Sequence, residues 1–176
     1  MTLFDIADQH DTEPQNVRVA ETKVGKGVFA VQNYPATAII GEITGRLFRD
    51  PDDSSEYTFD YEDGLHLDPN EPFRYLNHSC EPNCEFQILS QPSLENGSDS
   101  RHLFLIALQN IRAEEEFTIS YNWPAASTMR CECGSENCVG WIVCETEFWL
   151  VIDPDDDDFE SEYEFRNIGF YFPDAG

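Results

Sequence analysis

Short runs of alternating apolar and polar residues, separated by turn formers, recur along this chain and predict a mainly β protein. The first is Val17-Arg18-Val19-Ala20, the second runs from Lys23 to Val31, and the third is Ala38-Ile39-Ile40-Gly41-Glu42-Ile43, closed by Thr44-Gly45. Glu56-Tyr57-Thr58-Phe59-Asp60-Tyr61 alternates again, and an Asp63-Gly64 turn returns it as Leu65-His66-Leu67, the spacing of a hairpin. Cys84 to Leu89 reads as a strand and residues 90–100, rich in Ser, Asn, Gly and Pro, as an exposed loop. Arg101 to Leu108 is apolar enough for a buried strand, and Glu114 to Tyr121 is a strand that enters acidic and leaves on an aromatic. No window carries the period of a helix of about 12 residues or more.

Length and charge narrow the picture. A chain of 176 residues suits one domain able to bury a real core. Its 10 Lys and Arg face 35 Asp and Glu, a net charge of −25. Such a field repels nucleic-acid phosphates and anionic membranes and attracts basic partners, although acidity alone also serves solubility. No segment reaches the roughly 18 apolar residues of a membrane span. The start, Met1-Thr2-Leu3-Phe4-Asp5-Ile6, is not a signal peptide, and no basic cluster suggests nuclear import. An intracellular protein is expected, cytoplasmic in a microbe or nuclear in a eukaryote. Six cysteines in that setting point to metal or free thiols more than to disulfides. Residues 1–15 read as a flexible lead-in and 146–176 as an acidic, aromatic tail. Within that tail the run from Asp153 to Glu164 reads as solvated, and Phe165, Ile168, Phe170, Tyr171 and Phe172 as packing on the domain or a partner.

Three stretches carry special chemistry. Arg74-Tyr75-Leu76-Asn77-His78-Ser79-Cys80-Glu81-Pro82-Asn83-Cys84 is too polar for a core strand, and its thiols, imidazole and amides suit a site; the bland alternative is a polar turn. Gly25-Lys26-Gly27 interrupts a strand pattern, as a hairpin turn or as backbone against which a ligand can lie. Cys131-Glu132-Cys133-Gly134-Ser135-Glu136-Asn137-Cys138 sets three thiols in eight residues among turn formers, the spacing of a zinc site lacking one ligand. Cys80, Cys84 and Cys144 are candidates for the fourth position.

Taken in order, these motifs resemble the SET-domain protein lysine methyltransferases. Gly25-Lys26-Gly27, the strand Tyr57-Thr58-Phe59-Asp60, Arg74 through Asn83, Glu115-Glu116-Phe117-Thr118-Ile119-Ser120-Tyr121 and Cys131 through Cys138 follow the family's order over roughly residues 15–145. The resemblance implies a SET β-fold of small sheets with a pseudoknot, a SET domain over 16–124 and a zinc-bound post-SET segment over 125–145. It also implies S-adenosylmethionine held by Gly25, Lys26, Gly27, Tyr57, Asn77 and His78, with Tyr121 as catalytic tyrosine. Zinc would sit on Cys80, Cys131, Cys133 and Cys138, and Trp141 would help close the cofactor pocket. The implied substrate is a lysine-bearing basic protein, and the competing class is a non-catalytic SET-like module that binds basic proteins. A third class is an acidic, chaperone-like protein that works through its tail.

The chain departs from the family pattern at several places. Ile43 stands where a tyrosine is usual, Glu114 where glycine is, Ser120 where aspartate is, and Ile119 at the position that gates how many methyl groups fit. With no cysteine-rich segment ahead of the match and no reader domains, a compact stand-alone module of microbial type is expected.

Overall fold

The computed structural model describes residues 16–61, 64–92 and 99–151, so the expected lead-in and nearly all of the acidic tail lie outside the described residues. Among the described residues twelve strands form four small sheets. β1 (Val17–Thr22) and β2 (Gly25–Ala30) make a tight antiparallel hairpin, with Val17 opposite Ala30 and Thr22 opposite Gly25. The turn is therefore Lys23-Val24, and both glycines belong to β2. β10 (Glu116–Ile119) lies on the other side of β2, pairing Phe117 with Val28. β7 (Asn77–His78) adds to β10 in parallel, Asn77 beside Thr118 and His78 beside Ile119.

A second sheet sets β9 (Asp99–Ala107) between β3 (Ile39–Ile43) and β8 (Cys84–Pro92). β8 and β9 pair along their whole length, from Cys84–Ala107 to Pro92–Asp99. A third contains β4 (Gly45–Phe48), β6 (His66–Pro69) and β5 (Phe59–Asp60). The fourth is the two-residue pair β11 (Met129–Arg130) and β12 (Trp141–Ile142).

The inward faces of the larger sheets supply one core. Val28, Leu105, Ile111 and Phe117 are fully buried, and the Tyr34 ring meets Phe117 edge-on at 5.6 Å. Each such side chain stabilises the fold by roughly 1.5–3 kcal/mol through area removed from water. Helical structure is confined to short 3-10 turns among the described residues, the longest being Glu145–Leu150. None of these residues forms a helix long and apolar enough to cross a membrane.

The structure changes four readings of the pattern. The loop expected over 90–100 shrinks, because hairpin pairing carries β8 to Pro92 and β9 back to Asp99; cross-strand pairing overrides weak local propensity. Thr44 does end β3, but Gly45 opens β4 at once and packs directly on the Asp68–Pro69 backbone of β6. Asn77-His78, in a stretch read as too polar for a core strand, is a strand because β10 completes its hydrogen bonds. The strand expected from Glu114 to Tyr121 is confined to Glu116–Ile119.

Candidate active site and metal centre

The site grows from the point where β2, β7 and β10 meet. Gly25 has φ +115°, a conformation that side chains rarely adopt, and no atom lies within 4 Å of where its Cβ would stand. Gly27 is the opposite case. A Cβ there would run into Glu116 Oε1 and come within 2.7 Å of Thr22 Cγ2 and 3.1 Å of Asn77 Nδ2. Asn77 donates through Nδ2 to Lys26 O at 3.0 Å and to Glu116 Oε1 at 2.7 Å, so the central loop and the glycine strand are bound to each other directly.

Tyr121 leaves the end of β10 half-buried, and its hydroxyl donates to Leu76 O at 2.8 Å. Burial, and after it the Glu116 charge, push its phenol up to about 12, so it stays protonated through neutral and moderately alkaline pH. The Tyr121 backbone N–H donates to His78 Nδ1 at 3.3 Å, and the two rings lie 5.4 Å apart. Burial lowers the His78 pKa, which leaves its imidazole neutral near pH 7. Trp123, which the pattern did not single out, stands 5.2 Å from the Tyr121 ring.

Lys26 and Tyr57 belong to a second group around Tyr75. Lys26 Nζ lies 4.5 Å above the Tyr75 ring and donates to its hydroxyl at 3.4 Å, while that hydroxyl donates to Glu71 at 2.6 Å. Tyr57 meets Tyr75 edge-on at 5.7 Å, beneath the Arg74 guanidinium at 4.4 Å. Arg74 Nε is buried and finds no hydrogen-bond partner among the described residues. Trp141 lies on β12 under the Arg130 guanidinium, 4.0 Å from its ring centre. Ile43 and Ile119 are both core residues.

The cysteines settle into two classes. Cys80, Cys131, Cys133 and Cys138 bring their sulfur atoms within 4.8 Å of one another. Cys80 Sγ lies 3.7 Å from Cys131 Sγ and 3.9 Å from Cys138 Sγ. Four thiolates at a Zn–S distance of about 2.3 Å in a tetrahedron stand about 3.8 Å apart, so the donor set fits zinc. With four sulfur ligands the site would be closed and structural. Burial pushes the Cys80 and Cys131 thiols up, Cys131 to about 11. At Cys133 burial acts the same way, but hydrogen bonds from the Cys80 backbone, Ser135 and Cys131 outweigh it and bring the thiol down to about 6. Cys84 is instead buried in the core, and Cys144 neighbours Thr146 at 3.5 Å. Outside the cysteine cluster, Glu81 accepts from the Asn137 backbone at 3.1 Å and from Asn137 Nδ2 at 2.7 Å, a second link between the Arg74–Cys84 stretch and the cysteine turn.

Asn83 lies in the stretch whose bland alternative is a polar turn, and it does more. Its Oδ1 accepts from Thr118 N at 2.8 Å and its Nδ2 donates to Glu116 O at 2.7 Å, so the side chain pairs with β10 as a strand would. Its own carbonyl accepts from Leu108 N at 2.8 Å.

Comparison with known proteins agrees with this arrangement. Histone-lysine N-methyltransferase ATXR7 of Arabidopsis thaliana is 32% identical over 116 residues, covering 64% of this chain and 8% of that protein. Histone-lysine N-methyltransferase 2B of Homo sapiens is 28% identical over 131 residues, covering 65% of this chain and 5% of that protein. The chain therefore spans only a small fraction of these relatives' length. Among solved structures, the crystal structure of KRYPTONITE in complex with mCHH DNA, H3(1-15) peptide and SAH superposes with a TM-score of 0.60 at 27% identity, over 72% of this chain and 29% of that one. The SET domain profile matches residues 25–122, from the glycine strand through the Asn77-His78 segment to just past Tyr121, and with more than half of its residues inside that match the chain belongs to the SET-domain family.

Proposed function

We propose that this protein is a protein-lysine N-methyltransferase that uses S-adenosylmethionine and a structural zinc ion to methylate a lysine-bearing basic protein. The observation that carries the reading is the half-buried Tyr121, its hydroxyl held to Leu76 O beside His78 within the SET match. The matched relatives bear the name histone-lysine N-methyltransferase, which makes a histone tail the first substrate to try. The net charge of −25 suits any such lysine-rich ligand.

The residues present fit the cofactor. Open space beside Gly25, the fixed Asn77 amide and the orphaned Arg74 Nε all await polar partners or close backbone approach. Gly25, Lys26, Gly27, Tyr57, Asn77 and His78 would line its pocket. Lys26, whose pKa is raised by its bond to Tyr75, offers a cation to a carboxylate. When bound, S-adenosylmethionine supplies an electrophilic methyl group on a sulfonium sulfur.

The chain's own task is then to present a neutral amine. A free lysine has a pKa near 10.4, so on the order of one in a thousand is neutral at pH 7. An apolar, aromatic surround disfavours the ammonium, and the proton leaves to solvent before transfer. The proton of Tyr121 is committed to Leu76 O, which leaves its oxygen lone pairs to accept from the amine and aim the nitrogen. Because its pKa is about 12, the phenol neither ionises nor competes as a nucleophile while the amine deprotonates. The neutral His78 adds no charge that would repel the substrate.

The test is transfer of a radiolabelled methyl group to a panel of basic proteins, with mass spectrometry to locate the product. Tyr121→Phe is expected to lower kcat by about 100-fold or more while S-adenosylmethionine still binds. The parent rate should rise from pH 7 towards pH 10 as the amine deprotonates, with no falling limb from Tyr121. Full activity in the phenylalanine variant would remove Tyr121 from this role, and a flat profile would count against amine deprotonation as the source of the pH dependence. Binding of basic proteins without any methyl transfer would instead leave a non-catalytic module.

A further inference from the structure

Beyond the effect of its charge on Tyr121, Glu116 takes no part in the chemistry above, yet its carboxylate sits where three strands converge. β10 places it opposite Phe29 of β2, with the side chain half-buried. Its Oε1 accepts one proton of Asn77 Nδ2 at 2.7 Å, and the other proton of that nitrogen goes to Lys26 O at 3.0 Å. A side-chain amide nitrogen has two donors and no more. Both are committed, so the amide cannot turn over without losing both bonds, and Asn77 Oδ1 is left as an acceptor of fixed direction. The same Glu116 oxygen fills the volume that any side chain at position 27 would need. Glycine at 27 and glutamate at 116 are thus two halves of one fit.

We propose that Glu116 is a positioning residue that fixes the Asn77 amide and the Lys26–Gly27 backbone in their cofactor-binding arrangement, so that affinity for S-adenosylmethionine depends on a residue that does not touch it. The inference rests on the cofactor site proposed above. A half-buried carboxylate bonded to an amide donor resists exchange with water more than an exposed one, which suits a fixed support.

The experiment is titration calorimetry of the full, zinc-loaded chain with S-adenosylmethionine, comparing the parent with Glu116→Ala, Glu116→Gln, Asn77→Ala and the Asn77→Ala/Glu116→Ala double variant. Zinc content and thermal midpoint are recorded for each. Glu116→Ala is expected to lose about tenfold or more in affinity, the size of a lost charge-assisted hydrogen bond. Glu116→Gln, whose amide oxygen still accepts from Asn77 Nδ2, loses clearly less. If Glu116 acts through Asn77, its removal changes affinity by less than about twofold in the Asn77→Ala background. In steady state the defect falls on KM for S-adenosylmethionine, with kcat and peptide KM little changed. Where Glu116→Ala fails to fold, Glu116→Asp replaces it, since it keeps the charge but draws it back from Asn77. Parental affinity in the alanine variant, equal losses in both backgrounds, or equal losses for alanine and glutamine would each overturn the proposal. A parent chain that does not bind S-adenosylmethionine would overturn the cofactor site itself, a distinct result.

Discussion

Glu114 shows how one residue can depart from a family's pattern and leave a physical trace. It precedes β10 at φ +72°, in the left-handed region where the resemblance places glycine. Its amide is used, donating to Ala30 O at 2.8 Å, and its carboxylate pairs with Arg18 at 2.6 Å. A side chain in that conformation costs roughly 1–2 kcal/mol. An ion pair this exposed, with Arg18 at 40% and Glu114 at 70%, returns little in high dielectric. Two substitutions separate these effects. Glu114→Ala removes the ion pair and keeps the strain, whereas Glu114→Gly removes both. Urea denaturation should therefore find the glycine variant more stable than the alanine variant by about 1 kcal/mol, less whatever glycine adds to unfolded-chain entropy. Equal midpoints would mean that this backbone position carries no strain. The same arithmetic does not extend to Asn122 at φ +49°, because asparagine tolerates that region.

At the scale of elements, what the sequence made legible is what depends on neighbours along the chain. Alternation marked β1 and the β5–β6 hairpin, and a continuous apolar run marked the buried β9, because both patterns are local properties. The three thiols from Cys131 to Cys138 were legible for the same reason. The fourth zinc ligand was legible only through the family resemblance, since local spacing leaves Cys80, Cys84 and Cys144 open, and the physical reason against Cys84, its burial in the core, depends on the register of β8 on β9. β4 and β7 were missed because their partners, β6 and β10, are brought up by the fold rather than by a short turn. Asn83 was hidden in the same way, as its composition says turn while its contacts say strand. Thr118 N and Glu116 O would lose their bonds to its side chain in Asn83→Ala, leaving half-buried backbone groups without partners. That substitution should cost about 2–4 kcal/mol in chemical denaturation, from two hydrogen bonds and their desolvation. Asn83→Asp keeps the acceptor for Thr118 N but sets a carboxylate against Glu116 O, so it should recover little. A loss below about 0.5 kcal/mol in the alanine variant would show that water replaces both bonds.

For the molecule as a whole, the question is what joins the segment beyond β10 to the rest. Among the described residues its own sheet is a single two-residue pair, β11–β12, too small to stand alone in water. Two backbone and side-chain links, Cys144 N to Trp123 O at 2.7 Å and Ala125 N to Glu147 at 2.7 Å, close the segment on itself rather than on the core. Glu81 does reach across to Asn137, but it is exposed and contends with solvent. Tyr121 holds the start of the segment to Leu76 and His78, and farther along it the four sulfurs add a connection that bridges a separation of 51 residues between Cys80 and Cys131. Metal affinity at such a site is folding free energy, and here it would be spent on docking one segment rather than on forming the core. Chelation of zinc should therefore raise hydrogen exchange at Met129, Arg130, Trp141 and Ile142 while leaving the amides of β2, β8 and β9 protected. Because Cys80 follows His78 by two residues and its Sγ lies 3.5 Å from His78 Nε2, the loosened loop should also bind S-adenosylmethionine more weakly, by about tenfold or more on the scale of lost metal-site support. The two readouts discriminate between causes. Exchange rising everywhere would make zinc a requirement for the whole fold, and unchanged exchange in the C-terminal segment would mean that protein contacts alone hold it. Local exchange with unchanged cofactor affinity would confine the metal to docking and free the Asn77–His78 strand from its influence.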